Sequence, residues 1–423
     1  MTAPTLHLGL WLLTSGHHIG SWRHPLSQPE QLLQLDHYVR AARIAERGKL
    51  DMVFFEDTLA ARERNGGIFG EVSINSLDPM IQIAALAAAT SAIGLAASFS
   101  TTYHSPEILA SKFATVDHLS GGRAGWNMVT SGAAAGRNFG SGAHPEREVR
   151  YAGAHEVIAK VKSIWAETPS PQGEPVLIQA GMSAWGLDFA ASWGEGIFSA
   201  FGSLEAGQAF RSKLRAAAQA KGRSPDAVKI LPGFMPVIGS TEAEALAKLD
   251  VYRELIHPRL VLAMLGERFN IDFEGRSLDQ PFPIEEIKAT LEDRPNIGGE
   301  RARFLAEVRP GETIRAYSER MVSKPTGHLS KVGSPDQIAD FMQTWLLEGG
   351  CDGFILQALQ IPVELELFVD EVIPILQRRG LFRRDYAGTT LRSHLGLAAP
   401  VPALPGLDTS DQPRESGDPG VMS

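Results

Sequence analysis

The sequence predicts an α/β fold, specifically a (β/α)8 TIM barrel with a large insertion before the last strand. Two observations favour this fold. Short apolar runs alternate with helical patterns, as they do in successive parallel βα units. Polar residues follow several of the runs, and ligands collect at that end of the strands in parallel α/β folds. The alternative is a doubly wound open sheet, which is built from the same units.

The expected elements follow in chain order. About eight buried strands are predicted, the number that a barrel needs: Leu6 to Leu12, Asp51 to Phe55, Ile93 to Phe99, Ala124 to Val129, Pro175 to Gln179, Gly196 to Phe201, Lys229 to Ile238 and Gly353 to Gln357. Helical patterns lie between them, the last two ending at a glycine: Glu30 to Gly48, Pro79 to Thr90, Glu146 to Trp165, Leu204 to Gly222 and Pro335 to Gly349.

The longest interruption of this alternation lies between Gly239 and Ser334, where proline and glycine break several amphipathic pieces. We interpret about 239–334 as an insertion within a single barrel domain that spans residues 1–397. The insertion either covers the barrel mouth as a lid or packs against the barrel wall. Residues 398–423 are rich in Pro, Ala, Ser, Asp and Gly, a composition that predicts a disordered tail.

Charge and cysteine content limit the possible partners. A formal net charge of -9 opposes binding to nucleic acid or to an anionic membrane. Cys351 is the only cysteine, so the chain can form no internal disulfide, and a reducing cytoplasm fits best. We find neither a signal peptide nor a stretch long enough to span a bilayer.

Several common catalytic motifs are missing from the sequence. It contains no HxH or HExxH pattern, so we expect no metal site. It also contains no GxSxG elbow, no GxGxxG after a strand and no GxxxxGK[ST] loop. These absences argue against the usual serine hydrolases, dinucleotide-binding enzymes and P-loop proteins.

The most informative segment is DHLSGGRAGWNMVTS, from Asp117 to Ser131. A helix ends at a Ser-Gly-Gly turn, and a short strand then ends in polar side chains. Asn127 and Ser131 therefore lie near the carboxyl end of the predicted strand, where binding groups collect.

A second segment, QAGMSAWG, runs from Gln179 to Gly186. Gly181 permits close backbone approach, and Ser183 stands at the start of a predicted helix. Exposed amides and a hydroxyl at such a helix start can hold a phosphate. The alternative is that Ser183 only caps the helix, which is the commoner role of serine there.

These two segments, with STTYH, HHIGSWRHP, RYAGAHEVI and the C-terminal VDEVIPILQRRGLFRRDYAGTTLRSHLG, closely resemble the bacterial-luciferase-like flavin monooxygenases. The resemblance is to the branch containing nitrilotriacetate, EDTA and dibenzothiophene-sulfone monooxygenases, and it extends from about Leu6 to Leu397. The alternation of Arg and Leu in the C-terminal segment predicts a structural role for it, docking on the barrel or on a second subunit.

The resemblance also implies a site for FMN. In this family the QAG and serine elements, here Gly181 and Ser183, receive the FMN phosphate. Asp57 contacts the flavin region in the family, although capping the following helix is a second role for it. The remaining cofactor-binding residues that we expect are Thr102, Tyr103, Asn127, Ser131 and Tyr151. Tyr151 and His155 are four apart on one predicted helix face, so they could reach a ligand together.

The catalytic residues expected from the resemblance are His18, His328 and Asn127. A histidine of the HHIGSWRHP loop and one near the substrate serve the family, and we take them to be His18 and His328. Asn127 would orient the flavin. The alternative for His328 is an exposed loop histidine without a role.

The implied activity is that of the oxygenase half of a two-component system. A separate NAD(P)H:flavin reductase supplies FMNH₂, O₂ is the co-substrate, and one oxygen atom enters a small organic substrate, with C–N, C–S or C–C cleavage in many relatives. We also expect a homo-oligomer. The alternatives are a riboflavin-cleaving member of the family, a TIM-barrel metal hydrolase and a non-catalytic flavin-binding protein.

One departure from the family pattern is visible. Relatives carry an extended connection, including a hairpin, before the fifth strand. Here Trp165 is followed almost at once by Ser170 to Gly173. The core fold should survive, while substrate selection or subunit packing could differ.

Overall fold

The structure is a computed structural model that describes residues 4–57, 63–64, 67–68, 77–131, 136, 144–292, 304–322 and 328–400. Its strands, numbered β1 to β11 in chain order, are His7–Trp11, Met52–Phe55, Glu63–Arg64, Gly67–Ile68, Gly94–Ser100, Ala124–Val129, Val176–Gln179, Gly196–Ser199, Lys229–Ile238, Leu329–Gly333 and Gly353–Leu356. The two short strands β3 and β4 pair with each other in an antiparallel manner.

The helices are numbered α1 to α14 in the same way. They are Leu35–Arg47, Pro79–Ala89, Pro106–Ser120, Arg147–Glu167, Ala184–Trp193, Leu204–Ala220, Glu242–Glu254, Pro258–Phe269, Ile284–Glu292, Ile314–Val322, Pro335–Leu347, Val363–Leu367, Ile373–Arg378 and Leu391–His394. A π-helical turn, Phe368–Val372, joins α12 to α13. In the described parts of the chain, no helix is long and apolar enough to cross a membrane.

Eight parallel strands close into a barrel in the order β1, β2, β5, β6, β7, β8, β9, β11, and β11 pairs back with β1. All eight of these strands correspond to the runs identified in the sequence, and the (β/α)8 barrel is therefore confirmed. The first helix differs from its prediction: a short 3₁₀ turn, Pro29–Gln31, precedes α1, and Gln34 between them is extended.

β10 was not predicted, because its sequence LSKVG has only two apolar side chains. It pairs with Phe234 to Ile238, the carboxyl-terminal half of β9, which continues beyond the pairing of Phe234 with β11. The strand therefore lies outside the closed barrel, and His328 stands immediately before it.

Side chains alternate between the two faces of the barrel strands, as strand geometry requires. Outward side chains such as Val53, Leu95 and Trp126 pack against the helices in the large core. Inward side chains, including Met52, Ile178 and Ile355, form a second cluster inside the barrel.

The C-terminal segment docks against the barrel, at the amino end of its strands. Leu391 and Leu395 belong to the inner cluster and close that end. Gly94 leaves room for them, since a Cβ there would lie 2.5 Å from a methyl group of Leu391. We call residues Leu391 to Leu395 the C-terminal plug. Within it, Arg392 forms an ion pair with Glu195. Because described residues fill this end, we expect a ligand at the opposite end, where the strands have their carboxyl ends.

Between β9 and β10, the helices α8, α9 and α10 share an apolar cluster separate from the barrel core. Phe269, Phe282 and Tyr317 lie at its centre, fully or almost fully buried. Ile19, from the loop after β1, packs against it. The insertion thus contacts the loop that carries His17 and His18. The division into one domain of residues 1–397 remains a prediction, and residues 401–423 of the expected tail lie outside the described residues.

Candidate active site

Five aromatic side chains meet at the carboxyl end of the barrel strands, and we call them the mouth cluster: Trp11, His17, Phe54, Phe198 and His328. The Trp11 ring lies 4.8 Å from the His17 ring and 5.3 Å from the Phe198 ring, centroid to centroid. His328 stacks on Phe198 at 5.1 Å. Gly233 permits this position, because a Cβ there would lie 2.9 Å from Cγ of His328.

The two histidines of the cluster are electrically neutral at neutral pH. Burial and the neighbouring His328 lower the pKa of His17 to about 3. Burial lowers the pKa of His328 to about 4, against an opposing effect of the Ser199 backbone. Nδ1 of His328 is buried without a hydrogen-bond partner among the described residues, and the buried ring nitrogens of His17 have the Ala358 backbone nearby but make no well-formed hydrogen bond with described residues. Such atoms usually have a partner in a working protein, so they mark a place for a ligand or water.

His18, which the sequence suggested for catalysis, lies apart from this cluster. Its Nδ1 accepts a hydrogen bond from the Gly20 amide at 3.1 Å, and its ring packs edge-on against Tyr252. Burial and the charge of Arg253 lower its pKa to about 4. The structure brings His17, rather than His18, next to His328. The backbone amides of His17 and His18 donate hydrogen bonds to the carbonyls of Ala358 and Leu359, in the segment after β11.

Asn127 points into the barrel from β6. Its Nδ2 donates to Oγ of Ser98 at 2.8 Å, while its Oδ1 is buried without a partner among the described residues. Ser131, two residues beyond the end of β6, donates a hydrogen bond to Oγ of Ser100 at 2.7 Å. Ser131 adopts a left-handed backbone with φ of 57°. A free buried acceptor beside ordered hydroxyls suits a polar ligand edge.

Thr102 and Tyr103 follow β5 as expected, and they tie the neighbouring loops together. The Thr102 hydroxyl donates to the Thr130 carbonyl at 3.0 Å. The Tyr103 hydroxyl and Nδ1 of His144 share a hydrogen bond of 2.8 Å. Both side chains therefore lie beside the loop that follows Asn127.

Gly181 and Ser183 precede α5 in the arrangement that the sequence predicted. Oγ of Ser183 accepts a hydrogen bond from the Gly186 amide at 3.1 Å, so Ser183 is a true N-cap. This bond uses an oxygen lone pair and leaves the hydroxyl proton free to donate to a ligand. A Cβ on Gly181 would lie 2.7 Å from the Tyr151 hydroxyl oxygen, so the absence of a side chain at Gly181 lets Tyr151 approach the start of α5. The α5 amino end and the Tyr151 hydroxyl thus form one polar patch suited to an anion.

His155 does not join Tyr151 at this patch. Its Nδ1 accepts from the Trp193 indole at 2.9 Å, and its Nε2 lies 3.5 Å from Asp188. The two side chains share a contact with Phe189. The expectation that they reach one ligand together is therefore not met by their present contacts.

Asp57 follows β2 with Glu56 beside it. Burial, Asp78 and Glu56 raise the pKa of Asp57 to about 7. Its carboxyl group can therefore hold or release a proton near neutral pH. The helix expected after Asp57 falls on residues outside the described ones, and α2 is capped by Asp78 instead.

The short connection after α4 is a tight turn in which Ser170 and Gly173 bond to each other. Gln172 at its tip donates to Asp117 at 2.6 Å and accepts from the Arg392 amide at 3.1 Å. The turn therefore links α3 to the C-terminal plug. Among the described residues, no group of His, Cys, Asp and Glu could hold a metal ion.

Sequence reasoning missed Trp11, Phe54 and Phe198. Apolar residues within strands are usually interpreted as core, and only their position at the strand ends distinguishes them. The alternation of β1, with outward Leu8 and Leu10, could have placed Trp11 inside the barrel.

Comparisons with known proteins agree with this architecture. Residues 14–352 match the family described as luciferase-like monooxygenase. The chain is 37% identical to N-acetyl-S-(2-succino)cysteine monooxygenase of Bacillus subtilis (strain 168), over 94% of this chain and 97% of that protein. It is 36% identical to nitrilotriacetate monooxygenase component A of Aminobacter aminovorans, over 93% and 97% of the two chains.

Among solved structures, riboflavin lyase with modified FMN and substrate riboflavin is similar, at a TM-score of 0.79 and 28% identity over 93% of this chain and 96% of that one. The family match covers more than half of the chain, and the curated relatives cover nearly all of it. The chain therefore belongs to the luciferase-like monooxygenase family, together with nitrilotriacetate, EDTA and dibenzothiophene-sulfone monooxygenases.

Proposed function

We propose that this protein is the oxygenase component of a two-component flavin monooxygenase. A separate NAD(P)H:flavin reductase would supply FMNH₂, and the substrate is a small organic molecule. The nitrilotriacetate enzyme is named as one component of its system, and the pristinamycin IIA synthase relative is named as one subunit of its enzyme. Both names support a division of labour between chains. C–N, C–S or C–C cleavage could follow the oxygenation.

The described residues fit FMN. The observation that carries the proposal is a set of buried polar atoms without described partners toward the carboxyl end of the barrel strands, among them Oδ1 of Asn127. Gly181, Ser183 and Tyr151 would hold the phosphate, and Asn127 would meet the ring or ribityl chain. Asp57, Thr102, Tyr103 and Ser131 are proposed to line the flavin region.

When bound, FMNH₂ would supply two electrons and two protons, so that one oxygen atom of O₂ enters the substrate and the other leaves as water. The protein's part is to exclude water and to hold proton-bearing groups at fixed positions. His328, neutral and with its ring held by the Ser199 backbone, would anchor the substrate by accepting a hydrogen bond, or would take up a proton, at Nδ1. The catalytic role of His18 stays a prediction, and the contact of His17 with Trp11 favours His17 for that role.

The test is an anaerobic titration of the full-length protein with FMNH₂, followed by admission of O₂ in the presence of candidate substrates. We expect binding of FMNH₂ and substrate-dependent oxygen consumption. Binding of FMN without oxygen consumption would indicate a non-catalytic flavin-binding protein. Chelator-sensitive turnover that needs no flavin would indicate a metal hydrolase.

A second candidate is the cleavage of riboflavin, which is favoured by the similarity to riboflavin lyase. Riboflavin supplied with FMNH₂ and O₂ would then be consumed. Recovery of intact riboflavin would remove this candidate and leave the general proposal in place. The homo-oligomer and the cytoplasmic location remain predictions.

A further inference from the structure

Trp11 is half-buried, and its indole nitrogen differs from those of the buried residues Trp126 and Trp165 in what it contacts. Trp126 donates to the Phe99 carbonyl at 3.1 Å, and Trp165 donates to the Ala110 carbonyl at 3.0 Å. The Trp11 Nε1 atom is equally hidden from solvent, yet it has no hydrogen-bond partner among the described residues. An indole N–H only donates, and a buried one usually finds an acceptor.

Trp11 is surrounded by apolar side chains. A ligand that accepts a hydrogen bond from its indole N–H would therefore also contact apolar surface. The Trp11 ring is edge-on to Phe54 at 6.0 Å and to Phe198 at 5.3 Å. His17 and His328 border the same space with further buried nitrogens that make no well-formed hydrogen bond with described residues. The mouth cluster therefore combines aromatic walls with a few polar points, the usual composition of a small-molecule site.

The position of Trp11 in the barrel favours substrate over flavin as its partner. β1 lies four strands from β7 in either direction around the eight-stranded barrel, so the two strands face each other. The groups proposed for the FMN phosphate, Gly181 and Ser183, follow β7. Trp11 thus stands across the barrel from the residues proposed to hold the FMN phosphate.

We propose that Trp11 is a specificity-determining residue whose indole N–H donates a hydrogen bond to an oxygen atom of the substrate. This inference rests on the proposed function. The substrate class that fits is an organic molecule with an apolar portion and a sulfone, carbonyl or carboxylate oxygen. An unsubstituted hydrocarbon offers no acceptor and would leave the N–H unpaired, which costs binding free energy.

The decisive variant is Trp11→Phe, which removes the N–H and keeps an aromatic ring. The matched control is Trp126→Phe, which removes an N–H bonded to the protein on the outer face of β6. Three oxygen-bearing probes are used, namely dibenzothiophene sulfone, nitrilotriacetate and N-acetyl-S-(2-succino)cysteine. Fluorene, a hydrocarbon similar in shape to dibenzothiophene sulfone, is the probe without an oxygen atom. Measured quantities are the FMNH₂ dissociation constant, kcat/KM for the probes and competitive inhibition by fluorene.

We expect at least one oxygen-bearing probe to be turned over, with kcat/KM lowered roughly tenfold or more in Trp11→Phe. FMNH₂ binding and fluorene inhibition should stay within about twofold of the wild type. Trp126→Phe should lower the melting temperature and leave kcat/KM unchanged.

An unchanged kcat/KM in Trp11→Phe would overturn the inference. So would a loss of FMNH₂ binding equal to the loss of kcat/KM, since the N–H would then serve the flavin. Binding of FMNH₂ without turnover of any oxygen-bearing probe also counts against it. Failure of the wild type to bind FMNH₂ would instead reject the proposed function.

Discussion

At the residue scale, protonation of the mouth cluster has consequences for stability. The folded-state pKa values of His17 and His328, about 3 and about 4, lie below the ordinary value of 6.5. On acidification the unfolded chain takes up a proton at each position before the folded protein does. The free energy of unfolding should therefore fall as the pH drops from about 6.5 toward these folded-state values.

For this reason His17→Gln and His328→Gln should each flatten the acid loss of stability. One histidine contributes at most about 1.4 kcal/mol per pH unit in the steep part of this window. Urea unfolding at several pH values between 7 and 4.5 would measure the slope. His118→Gln, on the exposed side of α3, is the control. Unchanged slopes in both cluster variants would contradict the assigned protonation states.

Residues also show where sequence reasoning stops. Asn127 could be placed inside the barrel because strand alternation fixes its direction relative to Trp126. His17 and His18 could not be told apart, because they lie in a loop without a repeating pattern. Their directions depend on the segment after β11 and on Tyr252, which are distant in sequence.

At the scale of elements, α5 carries the proposed phosphate site, and Ser183 there has two separable roles. Its Oγ caps the helix by accepting from Gly186, and its proton is free for a ligand. Ser203 caps α6 in the same way, by accepting from the Ala206 amide at 3.3 Å. The two caps should therefore stabilise their helices to a similar extent, but only Ser183 is proposed to contact FMN.

Ser183→Ala and Ser203→Ala should each lower the free energy of unfolding by about 1 kcal/mol. Only Ser183→Ala should weaken FMNH₂ binding, by roughly tenfold, because a hydrogen bond to a charged group is lost. Thermal unfolding and anaerobic titration measure the two effects. Equal FMNH₂ affinities in both variants would remove Ser183 from the phosphate site.

The barrel strands were predictable because each is a continuous buried run bounded by turns. β10 was not, since two apolar side chains in five residues are weak support for a strand. Its place is set by the projecting half of β9, a tertiary pairing that no local pattern encodes. The consequence reaches the site, because His328 immediately precedes β10.

At the scale of the whole molecule, the two ends of the barrel have different tasks. Leu391 and Leu395 fill the amino end, and the polar and aromatic groups gather at the other end. The arginine and leucine residues of the C-terminal segment predicted that it docks on another surface. They did not predict which surface, because the barrel and a second subunit were both compatible with the pattern. The insertion adds a core of its own that contacts the site loop through Ile19.

The central claim is that this mouth uses reduced FMN to transfer an atom of O₂ to an organic substrate. The most direct measurement is a single turnover with FMNH₂ and ¹⁸O₂ on the probe that the protein consumes, followed by mass spectrometry of the product. The account predicts one ¹⁸O atom per product molecule and one FMNH₂ oxidised for each. A product that carries oxygen from water alone, or that forms without FMNH₂, would contradict it.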